Sequence, residues 1–441
     1  MVSRKASILQ YALAMLLLLA ALANPAAAHQ NHKRQAFERS TNDPSTGSTR
    51  LTQRDRQEIF SETWATINEK YYDPSFNGVN WRAVREQYRP VVETARSDED
   101  FYTAMKKMVG ELRDAHTRFA TPRERMEREQ LKAITAGVSI AEVEGKPVVV
   151  SVEPNSEAAH MGVEVGMLVV AIEGKPVAEK IAEAQARVAG TSTERAVKLR
   201  IYRQLVEGEP GTPLHLTLAR SDGSPLEVRL TRRIVSDVAQ VIARRLGTGV
   251  GYIKLTLWKS PAHKEFKRAL DGFKDAPGII VDLRGNPGGE AQEVVKIAGS
   301  FFNTRVSFGQ FVSRSGKSLS LYTDRDDQFY KGPVVILVNE GSGSGSELFS
   351  AAMQENGRAA VVGRQSCGCV LGISHFKKLK GGSELAVSEL KYISPQGHRI
   401  EGVGVTPNQA VPLTLADLQH HRDAALEAAE ATLQKSSLNT R

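Results

Sequence analysis

From Leu51 to Thr121 apolar residues recur every three to four positions. Ile59, Phe60, Trp64, Ile67 and Tyr71 form one such run, and Phe101, Met105, Met108 and Leu112 another. That period gathers each set on one helical face, which predicts a helical cap over 51–125 with Asp98 as N-cap of its second helix. Around Ala133 the period changes. Short β-type runs at 137–140, 147–152, 167–172, 197–202, 214–218 and 226–230 are separated by Gly, Pro, Asn and Asp. They predict a small β-rich module over 130–233, with one short helix inside 155–163. From Ile234 near-continuous apolar runs at 251–255, 278–283, 334–338 and 359–362 alternate with helical segments. The segment Ser346–Asn356 reads as a helix capped by Ser346 and stopped by Gly357. Buried strands with helical crossovers predict an α/β core over 234–412 whose sheet is covered on both faces. The Ala/Leu/Glu-rich stretch 416–434 predicts a helix in the tail, 413–441.

Composition narrows this picture. A chain of 441 residues has room for roughly three domains. With 41% apolar and 24% charged residues it is of ordinary globular type, and two cysteines exclude a disulfide-built scaffold. The net charge is +8, spread among interleaved acids with no basic-aromatic motif, so no nucleic-acid partner is expected. Arg4 and Lys5, the apolar run 11–23 and the small residues Ala26–Ala28 form the pattern of a signal peptide over 1–28. The apolar run is short for spanning ~30 Å of hydrocarbon. The expectation is an exported protein, periplasmic or extracellular, with a polar, disordered linker over 29–50.

Two strand ends could carry chemistry. Asn339-Glu340-Gly341-Ser342-Gly343-Ser344-Gly345-Ser346-Glu347 joins a buried strand to a helix, a turn that presents a serine hydroxyl beside free helix N-terminal amides. Gly343 and Gly345 clear Cβ atoms from around Ser344. The bland alternative is a Gly-Ser turn. Asp282-Leu283-Arg284-Gly285-Asn286-Pro287-Gly288-Gly289 offers a glycine pair that could donate to an oxyanion or simply form a β-to-α loop. It lacks the Gly-Lys-Ser/Thr of a phosphate loop.

Taken with Tyr71–Pro74, Asp114–Phe119, the segment 155–177 and Glu401–Asn408, these stretches resemble the C-terminal processing, or tail-specific, serine peptidases from about Leu51 to Pro412. The resemblance implies a crotonase-like peptidase core, the helical cap and a PDZ-like module. It implies Ser344 as nucleophile, and the N–H groups of Gly345 and of Gly288 or Gly289 as the oxyanion hole. It also implies polypeptide substrates with recognised C-terminal segments. Ala136, Gly137 and Val138 would hold the terminal carboxylate, with Ile140 lining a side-chain pocket.

One position departs from the family. The dyad enzymes carry a lysine where this chain has Cys369, within Ser366-Cys367-Gly368-Cys369-Val370. An uncharged cysteine is a poor acceptor for a serine proton. The tricorn-like branch uses histidine and glutamate instead, and His116 and Glu401 stand at the matching sites. Histidine titrates near neutrality, and a carboxylate can fix its tautomer and offset the imidazolium. His375 and His398 are competing bases, and Lys377 and Lys378 are expected in an exposed turn. Cys367 and Cys369 could form a disulfide, remain free or bind a metal; the expectation is a structural role, with no metal or organic cofactor. The leading expectation is an exported serine endopeptidase. The rival is an inactive pseudopeptidase acting as a peptide-binding scaffold. Whether the chain forms a homo-oligomer or is recruited by a lipoprotein is left open.

Overall fold

Side-chain caps start the N-terminal helices. In the computed structural model, α1 (Gln53–Lys70) follows Thr52, α2 (Trp81–Glu93) follows Asn80 and α3 (Asp98–Gly110) follows Ser97. Thr52 with Asp55, and Ser97 with Asp100, form reciprocal capping boxes that satisfy amides left over at a helix start. The N-cap of α3 is therefore Ser97, not Asp98. Asp98 lies one residue inside the helix, where it accepts from Arg56 Nη2 at 2.8 Å. Ile59, Ile67, Tyr71, Trp81, Phe101, Met105 and Leu112 merge into one apolar cluster. Strand β1 (Arg118–Ala120) follows, then α4 (Pro122–Glu129). The described residues are 50–438 other than 131, 189 and 237; the expected signal peptide, and all of the expected linker but its last residue, lie outside them.

The next segment contains β2 (Lys132–Thr135), β3 (Val138–Val143), β4 (Lys146–Val152), α5 (Glu157–His160), β5 (Leu168–Ile172), β6 (Lys175–Pro176), α6 (Val177–Arg187), α7 (Glu194–Gln204), β7 (Pro213–Ala219), β8 (Pro225–Thr231) and β9 (Arg233–Ser236). Its antiparallel sheet has the order β3-β4-β5-β7-β8, with β3 at an edge, while β2 and β9 pair as a separate ribbon. The expected strand over 197–202 is a helix. Val197, Leu199 and Ile201 alternate like a strand, but Thr193 accepts from Ala196 N–H as an N-cap, and Ile201, Tyr202 and Leu205 pack inward at helical spacing.

The remaining elements are β10 (Val241–Arg245), β11 (Gly251–Leu255), α8 (Ala262–Asp271), β12 (Ile279–Asp282), α9 (Ala291–Gly299), β13 (Ser307–Ser313), β14 (Ser318–Tyr322), β15 (Val334–Val338), α10 (Gly345–Glu355), β16 (Ala360–Gly363), β17 (Leu371–Gly372), β18 (Phe376–Lys378), β19 (Glu384–Ala386), β20 (Leu390–Ile393), β21 (Gln409–Ala410), α11 (Leu415–Gln419) and α12 (Ala424–Leu438). The main sheet runs β10-β11-β12-β15-β16-β21, parallel except for β10. Its strands are apolar throughout because both faces are covered. Ile279, Val281, Val334 and Ile336 face a cluster that includes Phe266, Val294 and Phe349. Ile280, Val335 and Leu337 face Ala429 and Leu433 of α12. The expected tail helix is thus two helices, α11 and α12, of which α12 closes the core.

Pairing of β1 with β19 sets Phe119 opposite Leu385 and so binds the segment after α3 to the later chain. Lys377 lies in β18 rather than an exposed turn, bonded to Glu62 at 2.9 Å and Thr66 at 3.0 Å. Among the described residues no helix is long and apolar enough to cross a membrane.

Candidate active site

Ser344 stands between β15 and α10 with φ 50° and ψ −110°, a left-handed conformation that a non-glycine residue adopts only where its surroundings impose it. Those surroundings are two strand-end loops sewn together. Asn339 Oδ1 accepts from Gly341 N–H at 3.0 Å and Gly285 N–H at 2.9 Å. Ser342 Oγ donates to Leu283 O at 2.8 Å, and Gly343 N–H to Asn286 O at 3.0 Å. Ser346 is not the cap of α10. It lies inside the helix, where its hydroxyl donates to Asn286 O and accepts from Trp258 Nε1, each at 2.9 Å. The capping residue is Ser344, paired with Glu347.

The glycine pair is required by this closeness. A Cβ on Gly288 would stand 2.5 Å from Ser344 Cβ, and one on Gly289 2.1 Å from Trp258 O. Gly288 N–H donates to Asn286 Oδ1 at 2.9 Å. Among the described residues no acceptor engages the N–H groups of Gly289 or Gly345, which leaves those two available to an incoming oxygen.

His116 comes from the turn between α3 and β1. Asp114 Oδ1 shapes that turn, accepting from His116 N–H at 2.8 Å, Thr117 N–H at 2.6 Å and Ser388 Oγ at 2.9 Å. The ring lies with Nε2 3.3 Å from Ser344 Oγ, although 228 positions separate the two residues. Burial pushes the imidazole down to about 4, partly opposed by the Asp114 charge, so the ring is neutral and able to accept a proton at neutral pH. Its Nδ1 is buried with no hydrogen-bond partner among the described residues.

Glu401 is 5% exposed. Its Oε2 accepts from Val370 N–H at 2.6 Å. Among the described residues no hydrogen bond joins it to His116. Burial pushes the carboxyl up to about 7, and the Asp114 and Glu347 charges add to the rise. His375 and His398 are mostly exposed, beside Glu389 and Glu355, and belong to other surfaces.

Cys369 is bonded to Cys367 as a disulfide. The loop it closes is bound into the centre: Ser344 N–H donates to Cys369 O at 2.8 Å, and Cys367 N–H to Ser342 O at 3.0 Å. Glu347, fully buried, links the same parts. It accepts from Ser366 Oγ and Gly368 N–H at 2.6 Å each, Cys369 N–H at 2.8 Å and Ser344 N–H at 3.1 Å. Burial raises its proton affinity while these donors oppose the rise. Sequence reasoning overlooked Glu347, Asn286 and Ser192. The Ser344-x-x-Glu347 spacing is a capping-box signal that was legible; nothing local marked Ser192, whose Oγ accepts from Ala115 N–H at 2.9 Å.

Ala136, Val138 and Ile140 are buried in the β-rich module, and Gly137 N–H donates to Thr135 Oγ1 at 2.9 Å. Ile140 also lines a cavity of about 840 Å³ between β3 and α7 on one side and Gly285, Asn339 and Gly341 on the other. No cluster of metal-ligating side chains occurs among the described residues.

A model of peptidase family S41 matches residues 249–411, and one of the tricorn protease C1 domain matches residues 52–110. The carboxyl-terminal-processing protease of Synechocystis sp. is 30% identical over 396 residues, spanning 85% of this chain and 86% of that protein. The photosystem II D1 C-terminal processing protease superimposes with a TM-score of 0.57 at 24% identity, over 82% of this chain and 94% of the other. Mature CPAF does so with a TM-score of 0.65 at 14% identity, over 87% and 96%. The last two likenesses are of fold.

Proposed function

The chain belongs to the carboxyl-terminal-processing proteases of peptidase family S41 and is a serine-type peptidase, and on that premise we propose a Ser344–His116–Glu401 mechanism. Ser344 Oγ attacks the scissile carbonyl as its proton passes to His116 Nε2. The oxyanion is held by the N–H groups of Gly345 and Gly289, since that of Gly288 is taken by Asn286. The imidazolium then gives its proton to the departing amine, the C–N bond breaks, and an acyl-enzyme remains. Water, deprotonated by the same ring, hydrolyses the ester. Glu401 supplies the compensating charge.

The observation that carries this reading is the 3.3 Å approach of His116 Nε2 to Ser344 Oγ in a chain whose family-lysine position is a disulfide cysteine. A tricorn C1 match that ends just before the His116 turn agrees with a histidine-based branch. Substrates are unfolded chains or C-terminal tails of exported proteins. An extended peptide adds to the free edge of β3 in a PDZ-like manner, its carboxylate near Ala136–Val138 and a side chain against Ile140. No cofactor takes part.

Cys369 in place of lysine also motivates the rival, a peptide-binding scaffold without turnover. One experiment separates them. A fluorophosphonate labels Ser344 and denatured protein is hydrolysed, with both lost in Ser344→Ala. A wild-type chain that neither labels nor hydrolyses is the scaffold.

A further inference from the structure

The two amides proposed for the oxyanion belong to glycines, and a glycine has no side chain with which to anchor its own backbone. A neighbour sets their position. Trp258, fully buried, lies between β11 and α8 and pairs with Gly289 as a single parallel bridge. Its N–H donates to Gly288 O at 3.0 Å, and its carbonyl accepts from Glu290 N–H at 2.7 Å. In a parallel ladder the residue bracketed by such a pair turns its own N–H to the opposite side, so the Gly289 amide is presented away from Trp258. The indole of the same residue reaches the other glycine. A Cβ on Gly345 would stand 3.2 Å from Trp258 Cδ1. Nε1 donates to Ser346 Oγ at 2.9 Å, and that hydroxyl donates on to Asn286 O at 2.9 Å. The ring packs on Phe349 of α10 with centroids 5.1 Å apart. Asn286 closes the circuit: its Nδ2 donates to Leu255 O at the end of β11, and its Oδ1 accepts from Gly288 N–H, each at 2.9 Å.

We propose that Trp258 is a positioning residue of the oxyanion hole: its backbone sets Gly289, and its indole, through Ser346, sets Gly345. The proposal rests on the peptidase reading above and on those two amides as the donors. Stabilising a tetrahedral oxyanion requires donors fixed in place before the charge develops, because a donor that must first be ordered gives back part of what it contributes. An indole suits that task. It is a rigid plane with two torsions, and its buried N–H can only donate, so it demands an acceptor at one place, which Ser346 Oγ supplies. Phenylalanine would keep much of the packing on Phe349 and lose that bond. Among the described residues no hydrogen bond joins Trp258 to Ser344, His116 or Glu401, so its influence on the chemistry runs through the two glycines.

The test compares the full chain with Trp258→Phe, Ser346→Ala, the double variant and Ser344→Ala, well below their melting temperatures. It measures kcat and KM on a peptide substrate, and the affinity for a peptide aldehyde of the same sequence, which adds reversibly to Ser344 and places an oxygen where the oxyanion forms. Trp258→Phe is expected to lower kcat about tenfold, to leave KM within about twofold, and to weaken aldehyde binding by the same factor as kcat. Ser346→Ala is expected to do likewise. Because the two side chains share one bond, the double variant is expected to lose no more than Ser346→Ala alone. A residue that merely filled the core would lower melting and leave kcat and the aldehyde affinity where they were. Wild-type kcat in Trp258→Phe, lowered kcat with unchanged aldehyde affinity, or losses that multiply in the double variant each overturn the proposal. If Trp258→Phe does not fold, Ser346→Ala decides by the same two readouts. Where Ser344→Ala is dead at the same time, the peptidase reading survives those results. Hydrolysis by Ser344→Ala, or a wild-type chain without turnover, overturns both.

Discussion

The two halves of the proposed catalytic centre are built differently. Ser344 sits in a turn whose partners come from two adjacent strand ends of one sheet, and Asn286, Ser342, Ser346 and Glu347 are all fully buried and bonded. His116 and Glu401 instead come from the helical region and the end of the core, and the turn that carries His116 leans on Ser192 of the β-rich module through Ala115 N–H. On that side His116 Nδ1 and Asp114 Oδ2 are buried without partners among the described residues. A buried polar atom left unbonded costs about 1–3 kcal/mol, so the second half gains free energy by any rearrangement that satisfies it. The proposed nucleophile is over-determined and the proposed base is adjustable.

The largest effect that probes this contrast is loss of the proposed base. His116→Ala leaves the nucleophile turn intact and is expected to lower kcat by at least about a thousandfold, with melting little changed. Stopped-assay kinetics on unfolded protein measure it. A variant that keeps a tenth of wild-type activity would show that another group deprotonates Ser344.

Next is Glu401→Gln. Glu401 titrates near 7 in the folded chain against an ordinary value of 4.5. The folded state therefore holds that proton more tightly than the unfolded one, and stability falls as pH rises from about 4.5 to 7. Glutamine has no proton to lose. The variant is expected to melt higher than wild type above neutrality yet to be about 10- to 100-fold less active, and to lack the rise in kcat/KM through pH 7. His116, neutral above about 4, contributes no limb in that range. Equal melting across the range would mean that Glu401 is not held in a proton-retaining site.

On the nucleophile side, Glu347→Gln puts an amide N–H₂ among four donors. The expected cost is about 2–3 kcal/mol of stability, read by denaturant unfolding, and about a tenfold slower fluorophosphonate reaction as the Ser344 turn loosens. If that rate is unchanged, the turn is held by backbone alone.

The core was legible in the sequence because its physics is local. Strands such as Val334–Val338, buried on both sides, read as unbroken apolar runs, and Gly288 and Gly289 mark a close approach that no side chain could allow. The segment 197–202 misled because its alternating apolar residues fit both periods; the Thr193 cap and the inward packing of Ile201, Tyr202 and Leu205 decide for the helix. Ser344 and His116 could be named from motifs, but their 3.3 Å separation depends on β1 pairing with β19, a contact between distant segments. Ser192 carries no motif at all. Its position follows from how α7 lies against three other segments, and a single sequence does not encode that in any local pattern.

The smallest effect expected is that of the disulfide. Its closed loop spans two positions, so cross-linking restricts the unfolded chain by only about 1–2 kcal/mol on a chain-entropy account. The loop's hold on the centre comes from elsewhere: Ser344 N–H, Glu347, Glu401, Thr193 and Arg195 all bind its backbone, and none of those bonds uses sulfur. A Cys367→Ala/Cys369→Ala double variant is thus expected to melt a few degrees lower and to keep at least about a third of wild-type kcat/KM, with the same result for wild type under a dithiol reductant. A hundredfold loss in both would move the disulfide from a clasp on a bonded loop to a working part of the nucleophile half, and the rigidity assigned there to Glu347 would belong to the sulfur bridge instead.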